Sequence, residues 1–312
     1  MKEKWLKWAV LEAVVRVLSN ALQKAVNDLT HVFGTVLYMT AAIGLVQAVL
    51  GIIVARFAKE KIKMHPVGLF GSITFGLLAV VAITLSFLVF AKGGQLGVHA
   101  FIVTLGIVPG ALLDRFLFKH PIRPLQGLGV GIAVLAGYCA LDCPSLEETR
   151  RLPLWVFLSF AAMLVMTLNQ AVSQKIQSYT TPMAKNFWGG LTIFLAAGTA
   201  LLIIGPHKLQ SPDLLRLTKV AVIIGALSVF LWTFNLWAYQ GGAFIALKKL
   251  VVNGNYIFMG AAGGALFFGE RVTLKQFVGF ALYGTAFLLV DREAWVFVCT
   301  KLNRARTSPL EV

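Results

Sequence analysis

Stretches of about 20 apolar residues recur along the whole chain, each just long enough to cross a hydrocarbon layer about 30 Å thick as a helix rising 1.5 Å per residue. They fall near residues 5–25, 32–56, 67–91, 95–117, 124–141, 153–176, 184–205, 219–240, 243–268 and 274–297. The pattern predicts an all-α integral membrane protein with about ten transmembrane helices. Of the 312 residues, 58% are hydrophobic and only 13% charged, about half the charged share of an ordinary soluble domain. No stretch remains for a soluble domain. The first run, WLKWAVLEAVVRVLSNAL, carries Glu12 and Arg16 and lacks a small-residue cleavage site, so it reads as the first helix and not as a signal peptide.

The formal net charge is +15, but the cations are spread among short loops without an aromatic-studded basic patch, and no nucleic-acid partner is expected. They sort instead by side. With an internal N-terminus, Lys2, Lys4, Lys7, Arg56, Lys59, Lys61, Lys63, Arg115, Lys119, Arg123, Lys175, Lys185 and the C-terminal basic residues fall on one side, and fewer on the other. The positive-inside bias then places both termini in the cytoplasm, and the expected location is a bacterial inner (plasma) membrane. Asp142, Glu147 and Glu148 would face outside. Cys139 and Cys143 read as small apolar helix residues, and no metal-ligand set or cofactor motif accompanies them.

The chain also repeats itself. Gly93-Gly94 is matched by Gly241-Gly242, Phe118, Gln126 and Gly129 by Phe268, Gln276 and Gly279, and Gln23-Lys24 by Gln174-Lys175, always about 150 residues later and in the same order. This divides the chain into 1–150 and 151–312, five spans each, the second ending in a short cytoplasmic tail. Five is odd, so the copies enter the membrane from opposite sides. Such inverted-topology repeats place a substrate site near the bilayer midplane, between halves that rock against each other.

The stretch GERVTLKQFVGFALYGTAFLLV, Gly269 to Val290, resembles the terminal signature of the drug/metabolite transporter superfamily, whose EamA-like repeat ends in Gly-Glu, a short turn, a Gln and a glycine-rich helix. The resemblance covers nearly the whole chain in length, spans and repeat, and implies secondary transport, with efflux as the implied direction. The first copy has Lys119-His120 where the second has Gly269-Glu270. Thr273 and Gln276 form a T-x-x-Q capping box, so Glu270 reads as part of a helix start and not as a coupling carboxylate. NALQKAV at the end of the first helix is similar, more weakly, to the nucleotide-sugar and sugar-phosphate translocators of the same superfamily.

Polar residues inside the spans carry the functional reading. An ionisable side chain at the centre of a spanning helix costs roughly 2.5–3.5 kcal/mol on insertion scales. FIALKKLVVNGNYIFMG nonetheless holds Lys248, Lys249, Asn253 and Asn255. The lysines are expected either to line a substrate cavity or to snorkel to the interface as anchors. Lys249 and Asn253 share a helix face. Glu12 and Arg16 are spaced for an ion pair; the sharper reading makes Glu12 a proton-coupling carboxylate and Arg16 an anion contact. Asn20, Gln23 and Lys24 continue that face, and Asn169, Gln170, Gln174 and Lys175 do so on the sixth span. Trp232, Asn235 and Tyr239 could form one face that stacks a planar substrate. His99 is either a packing residue or a second coupling group.

The expectation is therefore a secondary transporter of a small anionic or zwitterionic metabolite, not an enzyme. Lys248 or Lys249 would neutralise the substrate, Asn253 and Asn20 orient it, and Trp232 and Tyr239 supply apolar area. The alternatives are an exporter of aromatic or cationic compounds with Glu12 as counter-charge and, in third place, a membrane enzyme acting on a lipid-linked substrate. The expected partners are a small-molecule substrate and the lipid bilayer, with a homodimer left open.

Overall fold

A computed structural model describes residues 4–119, 124–143, 145, 147, 151–205 and 213–290. Glu148, His120, His207 and the C-terminal tail from 291 lie outside the described residues. Each of the ten apolar runs is helical over its described residues, the tenth as far as Val290. In chain order the α-helices are α1 (Lys4–Lys24), α2 (Phe33–Phe57), α3 (Pro66–Ala91), α4 (Leu96–Thr104), α5 (Ile107–Phe116), α6 (Pro124–Ala140), α7 (Leu154–Ile176), α8 (Pro182–Ile204), α9 (Leu214–Gln240), α10 (Ile245–Phe268) and α11 (Leu274–Val290). Among the described residues seven stretches are long and apolar enough to cross a membrane: α2, α3, the joined α4 and α5, α7, α8, α9 and the Val251–Phe268 part of α10. The regular structure of the described residues is all helical, and its long apolar helices fit a membrane-embedded protein.

Proline and glycine set the helix ends. Pro66 and Pro182 open α3 and α8, where a missing N–H costs nothing. Gly269 closes α10 in the left-handed region at φ 64°, which a residue without Cβ adopts freely. At the start of α11 the capping box forms as expected: Gln276 N–H donates to Thr273 Oγ1 at 3.2 Å, and Thr273 N–H donates to Gln276 Oε1 at 3.1 Å.

The fourth run differs from expectation, because it is two helices and not one. Pro109 has no N–H to give Leu105 O, so the α-helical ladder fails one turn before it. Val108 N–H turns to Leu105 O at 2.9 Å, which leaves Thr104 O without its usual donor. The break lies at Leu105-Gly106, inside the packed helices.

The main helix pairs join one helix from before residue 150 to one from after it: α2 with α8, α6 with α11, α3 with α7, α1 with α9, and α4 with α10. Close approach in two of these pairs requires glycine. A Cβ on Gly44 of α2 would sit 2.6 Å from the backbone nitrogen of Phe194, and one on Gly279 of α11 would sit 2.8 Å from Ala136 O. The core therefore lies between the two sequence halves, and neither half has a separate core of comparable extent.

Glu270 has a structural partner set. Its carboxylate accepts from the N–H groups of Leu96 (2.7 Å) and Gly97 (3.3 Å) and pairs with Lys24, so it caps the N-terminus of α4 from the opposite half. A carboxylate there meets the positive end of the helix dipole.

Candidate functional site

Glu12, Arg16, Met166 and Gln170 line two neighbouring cavities between the described helices. The larger, about 90 Å³, is walled by Arg16, Ser19, Asn20 and Gln23 of α1, Phe75 to Ser86 of α3, Asn169 of α7, and Ile224 to Asn235 of α9. The smaller, about 10 Å³, lies beside the break in the fourth run and adds Val103, Lys248, Lys249, Val252 and Asn253. Glu12 is the only carboxylate lining either cavity among the described residues.

Its position follows from helical spacing. Glu12, Arg16, Asn20 and Gln23 recur on one side of α1, and this side turns inward. Glu12 is fully buried, with Arg16 Nη2 at 2.8 Å, Lys248 Nζ at 2.9 Å and Asn235 Nδ2 at 3.4 Å. The expected Glu12–Arg16 pair is thus present, and it gains a third member from α10.

Lys248 and Lys249 do not reach toward headgroups. Their relative exposures are 1% and 6%, and every partner is internal. Lys248 also donates to Gln170 Oε1 at 2.6 Å and lies 4.2 Å from the Tyr239 ring centroid. Lys249 donates to Gly106 O at 2.8 Å and to Thr167 Oγ1. Asn253, on the same face, reaches Thr104 O at 3.5 Å. The carbonyl freed by the break, Thr104 O, is therefore approached by Asn253, while Lys249 adds a second donor to Gly106 O, which already accepts from Gly110 N–H at 2.9 Å. The hydrogen-bond partners of Lys249 Nζ are two neutral oxygens, Gly106 O and Thr167 Oγ1, and the buried carboxylate of Asp114 on α5 is the acidic group that acts on its charge. The anchor alternative is overturned for both lysines. Asn255 instead returns to its own helix, donating to Val251 O at 2.9 Å.

Trp232 and Asn235 line the larger cavity, and Trp232 meets Phe75 edge to face at 4.3 Å. Tyr239 sits behind that wall, where its hydroxyl donates to Gln170 Oε1 at 2.7 Å; the expected three-residue stacking face is therefore two residues at the cavity and one beyond it. Asn20 lines the larger cavity and bonds the hydroxyl of Tyr256. Asn169 Oδ1 and Gln23 Oε1 are buried without a hydrogen-bond partner among the described residues. His99 is not brought to the site. It is fully buried in α4, with Nδ1 2.9 Å from Ser159 Oγ and its ring against Phe90.

Lys185 requires a correction. Sequence reasoning counted it among the loop cations, but it is fully buried in the first turn of α8. Its Nζ donates to Ser173 Oγ at 2.8 Å and Asn235 Oδ1 at 3.1 Å and lies 3.8 Å from the Phe75 ring centroid. Thr181 and Pro182 start the helix just before it, so its Cα is already helical and its stem points inward. A sequence signal existed: Lys185 and Asn186 stand side by side at the start of an apolar run. Gln170 was read only as part of a polar face, yet it is the hub of the network. The α3 wall was missed, because apolar cavity residues such as Phe75 and Ile83 look like lipid-facing ones in sequence.

No protein-family model matches the chain, and no curated protein does. A solved crystal structure, described only as that of a protein, is similar to this chain with a TM-score of 0.63 and 14% identity, covering 93% of this chain and 98% of that one. At that identity the likeness concerns the fold alone.

Proposed function

We propose that the protein is a secondary transporter that carries a small anionic or zwitterionic metabolite by alternating access between two five-helix repeats of inverted topology. The observation that carries this reading is the imbalance of charge around the cavities. Arg16, Lys248 and Lys249 line the smaller cavity with one carboxylate, Glu12, which holds the first two, while Asp114 acts on Lys249 from outside the lining. The three cations still outnumber these carboxylates, and buried cations in excess of their counter-charges are costly unless a ligand supplies the missing charge. In the larger cavity the acceptors Asn169 Oδ1 and Gln23 Oε1, without a partner among the described residues, suit a substrate hydroxyl or ammonium.

Several features support the mechanism. The pairs α2–α8, α6–α11 and α4–α10 each join counterparts of the sequence repeat, and α3–α7 becomes α9–α1 when the halves are exchanged. That pattern fits ten spans related by a two-fold axis in the membrane plane. A discontinuous helix beside the cavities is a common feature of transporter sites. In this scheme a proton on Glu12 releases Arg16 and Lys248 to the substrate. The likeness of Gly269–Val290 to EamA-like drug/metabolite transporters favours export, and the cation distribution, even without Lys185, favours cytoplasmic termini in a bacterial inner membrane.

Proteoliposome uptake of a panel of carboxylates, phosphates and zwitterions tests the proposal. Lys248→Ala and Lys249→Ala should each lower anion transport at least about tenfold, a loss of about 1.4 kcal/mol; unchanged transport in both would sink it. The Phe75–Trp232 wall favours a second reading, an aromatic or cationic substrate countered by Glu12. That reading requires Glu12 to leave two cations it already holds, and aromatic cations in the same panel test it.

A further inference from the structure

The oxygen Oε1 of Gln170 accepts three hydrogen bonds at once: from Lys248 Nζ at 2.6 Å, Tyr239 Oη at 2.7 Å and Asn235 Nδ2 at 2.8 Å. A neutral amide oxygen has two lone pairs, so three donors over-fill it. A carboxylate or phosphate oxygen carries charge as well, and charge-assisted hydrogen bonds are roughly twice as strong as neutral ones. The point where the donors converge is thus better suited to an anionic oxygen than to the amide that occupies it.

The donors and the acceptor differ in how they are held. Tyr239 and Asn235 stand on α9 and Lys248 on α10, and all three are buried, at 1%, 3% and 1% exposure. Asn235 Oδ1 is fixed in turn by Lys185, and Lys248 by Glu12. Two of the three donors are therefore held independently of Gln170, and the third, Tyr239, is held by its buried ring. Gln170 comes from α7, reaches the cradle only with its terminal amide, and forms part of the wall shared by both cavities.

We propose that Gln170 is a stand-in ligand, whose amide oxygen holds the cradle of Lys248, Tyr239 and Asn235 until the carboxylate or phosphate oxygen of a small free anion displaces it. As the amide turns aside, the two cavities join across the wall it formed. The burial of the three donors among helices leaves no path for an acyl chain, so the anion is a small solute and not a lipid headgroup. This inference rests on the reading of the site as anion-binding, and the experiment separates the two.

Purified full-length protein is melted with sodium acetate or sodium phosphate against sodium chloride at matched ionic strength. Wild-type protein should be stabilised by at least one oxyanion beyond chloride. In Gln170→Ala, and in the volume-keeping Gln170→Met, the competitor is gone, and the apparent affinity for that oxyanion should rise about tenfold, equivalent to about 1.4 kcal/mol. Gln170→Glu places a permanent carboxylate in the cradle, so its melting point without oxyanion should equal or exceed that of wild type, and its oxyanion response should vanish. Should Gln170→Ala, or Gln170→Met if the alanine variant does not fold, bind the oxyanion no tighter than wild type, or should Gln170→Glu respond as wild type does, the stand-in role is wrong while the anion site survives. If wild type and the Ala and Met variants all ignore both oxyanions, the anion site and this inference fall together.

Discussion

Replacing Glu12 by Gln tests the charge arrangement most directly. Glu12 is fully buried and holds Arg16, Lys248 and Asn235 at 2.8, 2.9 and 3.4 Å. Glu12→Gln keeps the volume and one acceptor but removes the charge shared by two cations. Removing one partner of a buried pair costs about 3–5 kcal/mol, most of it the desolvation of the charge left behind. The retained acceptor places the expected loss at the lower end, about 3 kcal/mol. Lys248→Met alone should cost less, because Glu12 keeps Arg16. The double variant loses the orphaned cation as well, so it should be more stable than the sum of the single losses by about 2 kcal/mol, within the range for residues in one network. Reversible unfolding in mixed micelles, read by helical circular dichroism, measures all four corners of the cycle. A bound anion should substitute for Glu12: phosphate at about 100 times its Kd should return about 2.7 kcal/mol to Glu12→Gln. Single losses that add within about 0.5 kcal/mol would refute the coupling, and a Glu12→Gln protein indifferent to every anion would refute the charge imbalance as the basis of binding.

Three other substitutions probe separate parts of the structure. Pro109→Ala returns an N–H to Leu105 O and should heal the break, giving Val108 N–H back to Thr104 O and taking that carbonyl from Asn253; anion uptake should fall about tenfold or more while the melting point does not drop, as paired uptake and melting assays would read. Gly44→Val drives a branched side chain into the backbone of α8 and should cost about 3 kcal/mol or more in micelle unfolding, whereas Gly127→Ala, with nothing within 4 Å of its added methyl, should gain about 0.5–1 kcal/mol. Glu270→Gln removes the charge that caps α4 and pairs with Lys24, at a cost of about 1–2 kcal/mol; oxyanion titrations of the melting point should give the wild-type affinity, because Glu270 lines neither cavity.

The helices were legible because their ends are written locally. Pro66, Pro182 and Gly269 act through their own backbone chemistry, and the Thr273–Gln276 box acts over a single turn. The Glu12–Arg16 pair was legible for the same reason, being two residues on one helix face. Its third member was not, since Lys248 lies in the other half of the chain and nothing local says which helix it faces. Pro109 shows the limit for backbone features. A proline inside a spanning helix is tolerated where neighbouring helices can satisfy the freed carbonyls, so whether it breaks the helix depends on Asn253 of α10 being opposite Thr104 O. Lys185 shows the limit for charge counting: hydropathy registers its distance from the end of a run, whereas its burial depends on Phe75, Ser173 and Asn235 from three other helices.

The two adjacent lysines can both be buried because the halves differ in chemistry while pairing alike in helices. Successive residues on a helix point about 100° apart at 3.6 residues per turn, so Lys248 and Lys249 need different partners. Lys248 faces α1 and finds Glu12. Lys249 faces α7 and the break, and finds Thr167 and Gly106 O. In the alignment that matches Gln23-Lys24 with Gln174-Lys175, Thr167 stands where the first half has Arg16, and Met163 stands where it has Glu12. An arginine at position 167 would bring a second cation against Lys249 with no carboxylate one turn before it to balance the pair. A hydroxyl there accepts the ammonium without neutralising it. Lys248 is thus held by a charge of opposite sign, while Lys249 is hydrogen-bonded by neutral oxygens at the smaller cavity and feels Asp114 from outside its lining, so of the two it is the less tightly paired toward an incoming anion.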